Sequence, residues 1–166
     1  IDRIRALIGN MDTRYHKVDL RAVVESALLT LQDRFKEHHV HVQIRYSGKN
    51  PAILGDETQL YLIVLNLLRN SVNALSQKRG RVRKILVRIT KVQKGATIAV
   101  EDSGGSFSAK AIQKTMRWNA QQSGMGIGLF LVRSAVDNHH GKIFFGKSRL
   151  KGWKVTVWLP VTPPQH

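Results

Sequence analysis

The 166 residues, 42% of them hydrophobic with 13 Gly, 4 Pro and no Cys, suffice for one packed core and exclude a disordered, fibrous or disulfide-stapled chain. The 27 Lys and Arg against 11 Asp and Glu leave a formal net charge of +16, which favours phosphate-rich or acidic partners without choosing among nucleotide, nucleic acid, anionic lipid and acidic protein. No apolar run reaches the roughly 18 residues of a bilayer-spanning helix, and no charged-then-apolar leader marks a signal peptide.

In chain order, Ile1, Ile4, Leu7, Ile8 and Met11 fall at helical spacing in a segment too short to stand alone, so residues 1–12 read as the end of a longer helix. Asp19 is placed as an N-cap before Leu20, Val23, Val24, Ala27, Leu28, Leu31 and Phe35, one apolar face of a helix over residues 20–38. Val40, Val42 and Ile44 alternate with His41, Gln43 and Arg45 as in a half-buried strand. A turn over 47–51 and the short apolar Ala52-Ile53-Leu54 lead to Asp56, where a second, unusually apolar helix begins and runs to about residue 77.

The basic residues 78–81 end that helix. Ile85-Val87-Ile89 and 97–100 then read as a hairpin turning near Lys94-Gly95. A short helix after Ser108, a polar stretch to Ser123, a glycine loop, a helix to about residue 138 and strands over 142–145 and 153–159 complete the pattern, with 161–166 as a tail. Strands and helices do not alternate strictly, so the expected class is α+β: a two-layer sandwich of helices on a mixed, largely antiparallel sheet.

Three segments carry residues that a fold alone does not require. In Gly124-Met125-Gly126-Ile127-Gly128-Leu129 the glycines permit close backbone approach and the following helix start presents N–H groups, so the loop can wrap a polyphosphate. It has no Gly-Lys-Ser/Thr ending and does not follow a strand, which excludes a P-loop and a dinucleotide fingerprint. Taken alone, it reads equally as a linker or as tight helix packing.

Asp102, at the end of an apolar strand and followed by Ser103, Gly104 and Gly105, can accept a hydrogen bond from an exocyclic amine while the glycines leave room for a planar base. Taken alone, it is an ordinary turn. Asn66, Asn70 and Asn73 stand four and three residues apart on one face of the second helix among aliphatics. Asparagine is a poor helix former, and amide oxygens suit Mg²⁺ shared with phosphates; a solvated helix edge explains the same spacing.

In this order the segments resemble the catalytic domain of sensor histidine kinases, in the superfamily of gyrase, heat-shock chaperone, histidine kinase and mismatch-repair ATPases. The helix from Asp56 to Ala74 is similar to the family's N box, Asp102-Ser103-Gly104 to its first glycine box, and Gly124-Met125-Gly126-Ile127-Gly128-Leu129 to its second; Val132-Arg133 and His140-Gly141-Lys142-Ile143 continue the kinase pattern. The resemblance implies ATP and Mg²⁺ as cofactors. It implies Asp102 on the adenine amino group with Gly104 beside it, Asn70 as metal ligand, Asn66 near the γ-phosphate with Asn73 on the same face, and residues 124–129 around the phosphates.

It further implies that residues 1–12 end a dimerisation hairpin, that 13–160 form the ATP-binding domain, and that the partners are that hairpin, which bears the phosphoacceptor histidine, and a response regulator. The full-length protein would be a homodimer, with this part on the cytoplasmic side of a membrane-bound sensor. The seven histidines at 16, 38, 39, 41, 139, 140 and 166 lie outside any acceptor-helix context. Two departures stand out: Ser106 replaces the second glycine of the first box, and the short segment from Lys114 to Gln122 lacks the phenylalanine-rich stretch and lysine of the family's lid. A non-catalytic regulatory module of the same fold is the alternative. A basic nucleic-acid-binding domain is disfavoured, because aromatic residues are not interleaved with the basic run around 78–84.

Overall fold

The computed structural model describes residues 15–77, 82–105, 110 and 125–161. The helix read over 1–12, the 161–166 tail beyond its first residue, the lid and all but Lys110 of the short helix after Ser108 lie outside them.

The elements are β1 (His16–Asp19), α1 (Leu20–Thr30), α2 (Gln32–Glu37), β2 (Val40–Ser47), β3 (Ala52–Gly55), α3 (Glu57–Ser76), β4 (Arg83–Val92), β5 (Gly95–Asp102), α4 (Met125–Asn138), β6 (Lys142–Lys147) and β7 (Trp153–Pro160). Strands β2-β4-β5-β7-β6 form a five-stranded sheet, and β1 and β3 form a separate antiparallel pair. Within the large sheet β2 runs parallel to β4 while the other neighbours are antiparallel, so the sheet is mixed and largely antiparallel as expected.

Alternation along the strands sends Ile85, Val87, Ile89, Ile98, Val100 and Val157 into one core beneath α1, α3 and α4. Helix α3 is the centre of that layer. Asp56 caps it by accepting from Gln59 N at 3.1 Å, and Leu60, Ile63, Val64, Leu67, Leu68, Val72 and Leu75 recur at three- and four-residue steps and are buried. Each such side chain contributes on the order of 1.5–3 kcal/mol on burial. The core thereby fixes the polar face of α3 against its neighbours.

One local reading is corrected. The single helix expected over 20–38 is two, because Leu31 leaves helical geometry at φ −97°, ψ 5° while staying buried. Its aliphatic side chain continues the apolar stripe across the break, so periodicity cannot register the change. The short apolar run 52–54, to which the sequence pattern assigns no element, is part of a strand: Val18 and Ile53, both buried, face each other in the β1–β3 pair.

Candidate functional site

The end of β5 brings Asp102 to the core-facing side of the sheet, where it is 4% exposed beneath α3. Ser71, on α3, donates to Asp102 Oδ2 at 3.3 Å. Asp102 Oδ1 accepts from Gly104 N at 2.8 Å and Trp153 N at 3.3 Å. A buried carboxylate needs hydrogen-bond partners, and two of these donors are backbone groups that cannot swing away.

Glycine is required around this carboxylate. A Cβ on Gly152 would stand 2.1 Å from Asp102 Oδ1 and 2.3 Å from its carbonyl oxygen; one on Gly104 would stand 3.0 Å from Oδ1 and 3.2 Å from Ala74 Cβ. Gly105, next in the chain, has φ 73°, the left-handed region that glycine enters at no steric cost.

The asparagines of α3 meet the first turn of α4. Asn66, 9% exposed, donates from Nδ2 to Leu62 O at 2.8 Å, which ties its amide nitrogen to its own helix and leaves its oxygen facing Gly128 of α4. A Cβ on Gly128 would lie 3.0 Å from Asn66 Oδ1 and 3.9 Å from Asn70 Oδ1, so two amide oxygens approach Gly128, the fourth residue of α4. Oxygen donors of this kind fit a hard divalent cation, and the first turn of a helix leaves backbone N–H groups for anions. The residues present therefore fit a magnesium nucleotide.

The structure brings Asp102 and Gly104 together at the end of β5, and Asn66 and Asn70 against Gly128. Asn73 is half-buried and its Oδ1 accepts from Arg34 Nη2 at 3.1 Å, which gives it a partner on α2. Of the second glycine segment, Met125, Gly126, Ile127, Gly128 and Leu129 open α4, with Ile127 exposed and Leu129 packed against the core, while Gly124 lies outside the described residues.

Ser71 and Gly152 were not legible as site residues. Ser71 was detectable as a small polar residue on a buried helix next to Asn70. Gly152 gave no signal beyond a turn, because its contact with Asp102 crosses some fifty positions of sequence.

Residues 55–163, more than half of the chain, match the family of histidine kinase-, DNA gyrase B-, and HSP90-like ATPases. The chain is 28% identical over 163 residues to the C4-dicarboxylate transport sensor protein DctS of Rhodobacter capsulatus, covering 97% of this chain and 25% of DctS. It is 29% identical over 177 residues to sporulation kinase B of Bacillus subtilis (strain 168), covering 99% and 40% respectively. Among solved structures, the catalytic domain of histidine kinase ThkA superposes with a TM-score of 0.78 at 17% identity, over 90% of this chain and 97% of that one. ThkA in complex with response regulator protein TrrA superposes with a TM-score of 0.76 at 15% identity, over 98% and 47%.

The chain belongs to this ATPase family, and within it to the sensor histidine kinase catalytic and ATP-binding domains. It spans a quarter of the length of DctS and two fifths of sporulation kinase B. Among the described residues no helix is long and apolar enough to cross a membrane, and no group of three or more His, Cys, Asp or Glu is placed to hold a metal ion.

Proposed function

We propose that this chain is the kinase domain that directs the γ-phosphoryl group of ATP to a histidine on a dimerisation hairpin of the same full-length protein, and thence to an aspartate on a response regulator. The observation that carries this reading is the convergence of Asn66 Oδ1 and Asn70 Oδ1 on Gly128. That geometry sets a pair of hard oxygen donors against the start of a helix.

Asp102 selects the base by accepting from an exocyclic amine, held in place by Ser71, Gly104 and Trp153. Asn70 ligates the cation and Asn66 orients beside it. The opening turn of α4 offers backbone N–H groups to the phosphates. Bound Mg²⁺ supplies charge neutralisation of the phosphate oxygens. Phosphoryl transfer rests on positioning and electrostatics, so these residues need only hold their groups still.

In this reading the domain is the cytoplasmic portion of a membrane-bound sensor that works as a homodimer. The matched region is 25% of DctS and 40% of sporulation kinase B, which supports a larger protein around it. The experiment is a phosphotransfer assay with γ-labelled ATP on the full-length protein. Acid-labile, alkali-stable label on protein, lost in Asn70→Ala and passed to a response regulator, is the expected result. Saturable nucleotide binding without any labelled protein would instead favour a regulatory module of the same fold.

A further inference from the structure

Next to Asp102, and pointing to the opposite side of the sheet, Glu101 is a carboxylate only 1% exposed. Its Oε1 lies 3.5 Å from Arg88 Nη1 and 3.7 Å from Lys154 Nζ, ion-pair contacts rather than hydrogen bonds. Register explains them: Glu101 is directly opposite Lys154 and diagonal to Arg88, so all three share the outer face. Its Oε2 faces elsewhere, accepting from Ser148 Oγ at 3.1 Å and Arg149 N at 3.3 Å. Those two donors belong to the turn between β6 and β7.

That turn ends on the candidate nucleotide aspartate. Ser148 N donates to Gly152 O at 2.9 Å and Lys151 N to Ser148 O at 3.1 Å, while Leu150 N donates to Ser148 Oγ at 2.9 Å. Lys151 sits at φ 73°, a conformation that a non-glycine residue keeps only when its surroundings hold it. Beyond it, Gly152 lies against Asp102, and Trp153 N donates to Asp102 Oδ1. The chain of contacts runs from Glu101, through Ser148 and the turn, back to the neighbouring residue's carboxylate.

We infer that Glu101 is a positioning residue for base selection: by anchoring the 148–152 turn it holds Gly152 and the Trp153 N–H against Asp102, and so fixes the direction in which Asp102 accepts from the purine amine. The inference rests on the nucleotide reading above. A site built to pair with an amine discriminates against a base lacking it only while the acceptor is held in one orientation. Two adjacent carboxylates on opposite faces divide the work, one touching the base and the other fixing the turn. Glu101 touches no ligand in this arrangement.

The test is calorimetric titration of ATP and GTP, each with Mg²⁺, into the full chain and its Glu101→Ala, Glu101→Gln and Ser148→Ala variants, together with amide hydrogen exchange at Gly152 and Trp153 without nucleotide. Glu101→Ala is expected to weaken ATP about tenfold, narrow the ATP-over-GTP preference, and speed exchange at both amides. Ser148→Ala, which removes one turn donor and no charge, moves the same readings less and keeps the test valid if Glu101→Ala fails to fold. Glu101→Gln, still an acceptor, restores part of the selectivity.

Unchanged selectivity and exchange in folded Glu101→Ala or Ser148→Ala, beside an Asp102→Ala variant that has lost ATP, would overturn the inference and leave the nucleotide reading intact. An unsubstituted chain that binds no ATP overturns both.

Discussion

Gly128 and Asn66 are in contact so close that a single added carbon on the glycine would meet the asparagine oxygen at 3.0 Å. The opening turn of α4 and the polar face of α3 are thus locked together by the absence of a side chain. Gly128→Ala follows from this: alanine favours a helix by about 1 kcal/mol over glycine, which offsets the crowding, so thermal stability is expected to change by only a few degrees. Nucleotide affinity, read by titration, falls several-fold because Asn66 must shift.

Gly152→Ala is the opposite case. Its Cβ would overlap Asp102 Oδ1, Asp102 O at 2.3 Å and Gly104 N at 2.7 Å, two of them backbone atoms. Overpacking of this kind costs about 3 kcal/mol, and urea unfolding of the variant is expected to show that loss together with lost nucleotide binding.

His139 supplies a pH dependence. The ring is buried, its Nε2 accepts from Asp56 N at 3.0 Å, and its Nδ1 therefore carries the proton donated to Ala135 O at 2.7 Å. Burial holds its pKa below the ordinary value, with a smaller push from His140; the Ala135 hydrogen bond and the Asp56 charge act the other way. The unfolded chain takes up this proton near pH 6.5, the folded chain only lower. The stabilisation is therefore complete above about pH 6.5 and is lost as pH falls through the folded pKa. Urea midpoints between about pH 5 and 7.5 are expected to fall on the acid side in the unsubstituted chain and to flatten in His139→Leu. That variant is also destabilised by about 1–3 kcal/mol, since Asp56 N–H loses its acceptor.

Leu68 is 0% exposed on α3, in the core shared with α1, α4 and the sheet. Leu68→Ala is expected to cost about 2–5 kcal/mol in chemical denaturation. Because it borders the segment that carries Asn66 and Asn70, the same variant is expected to bind nucleotide less tightly even where it remains folded.

Much of the architecture was legible because its periodicities are long. Helix α3 shows eight buried aliphatics, seven of them at three- and four-residue steps, and β4 places Ile85, Val87 and Ile89 at every second position, with Leu86 buried as well. The β1–β3 pair escaped notice because each strand has four residues, too few for alternation to show. The parallel pairing of β2 with β4 was equally hidden, since alternation reports which face is buried and not the direction of the neighbour. At the site, Asp102, Asn66 and Asn70 stood out as polar residues in apolar settings. Ser71, Gly152 and Glu101 did not, because their significance lies in contacts made across the fold.

The central claim, that Asp102 and the Asn66–Asn70–Gly128 junction form a magnesium nucleotide site, is tested most directly by calorimetric titration of ATP with and without Mg²⁺ into this chain and its Asp102→Ala variant. Saturable binding that tightens with Mg²⁺ and is lost in a folded Asp102→Ala variant is the predicted result. Binding that ignores both the cation and Asp102, or no binding at millimolar ATP, would contradict it.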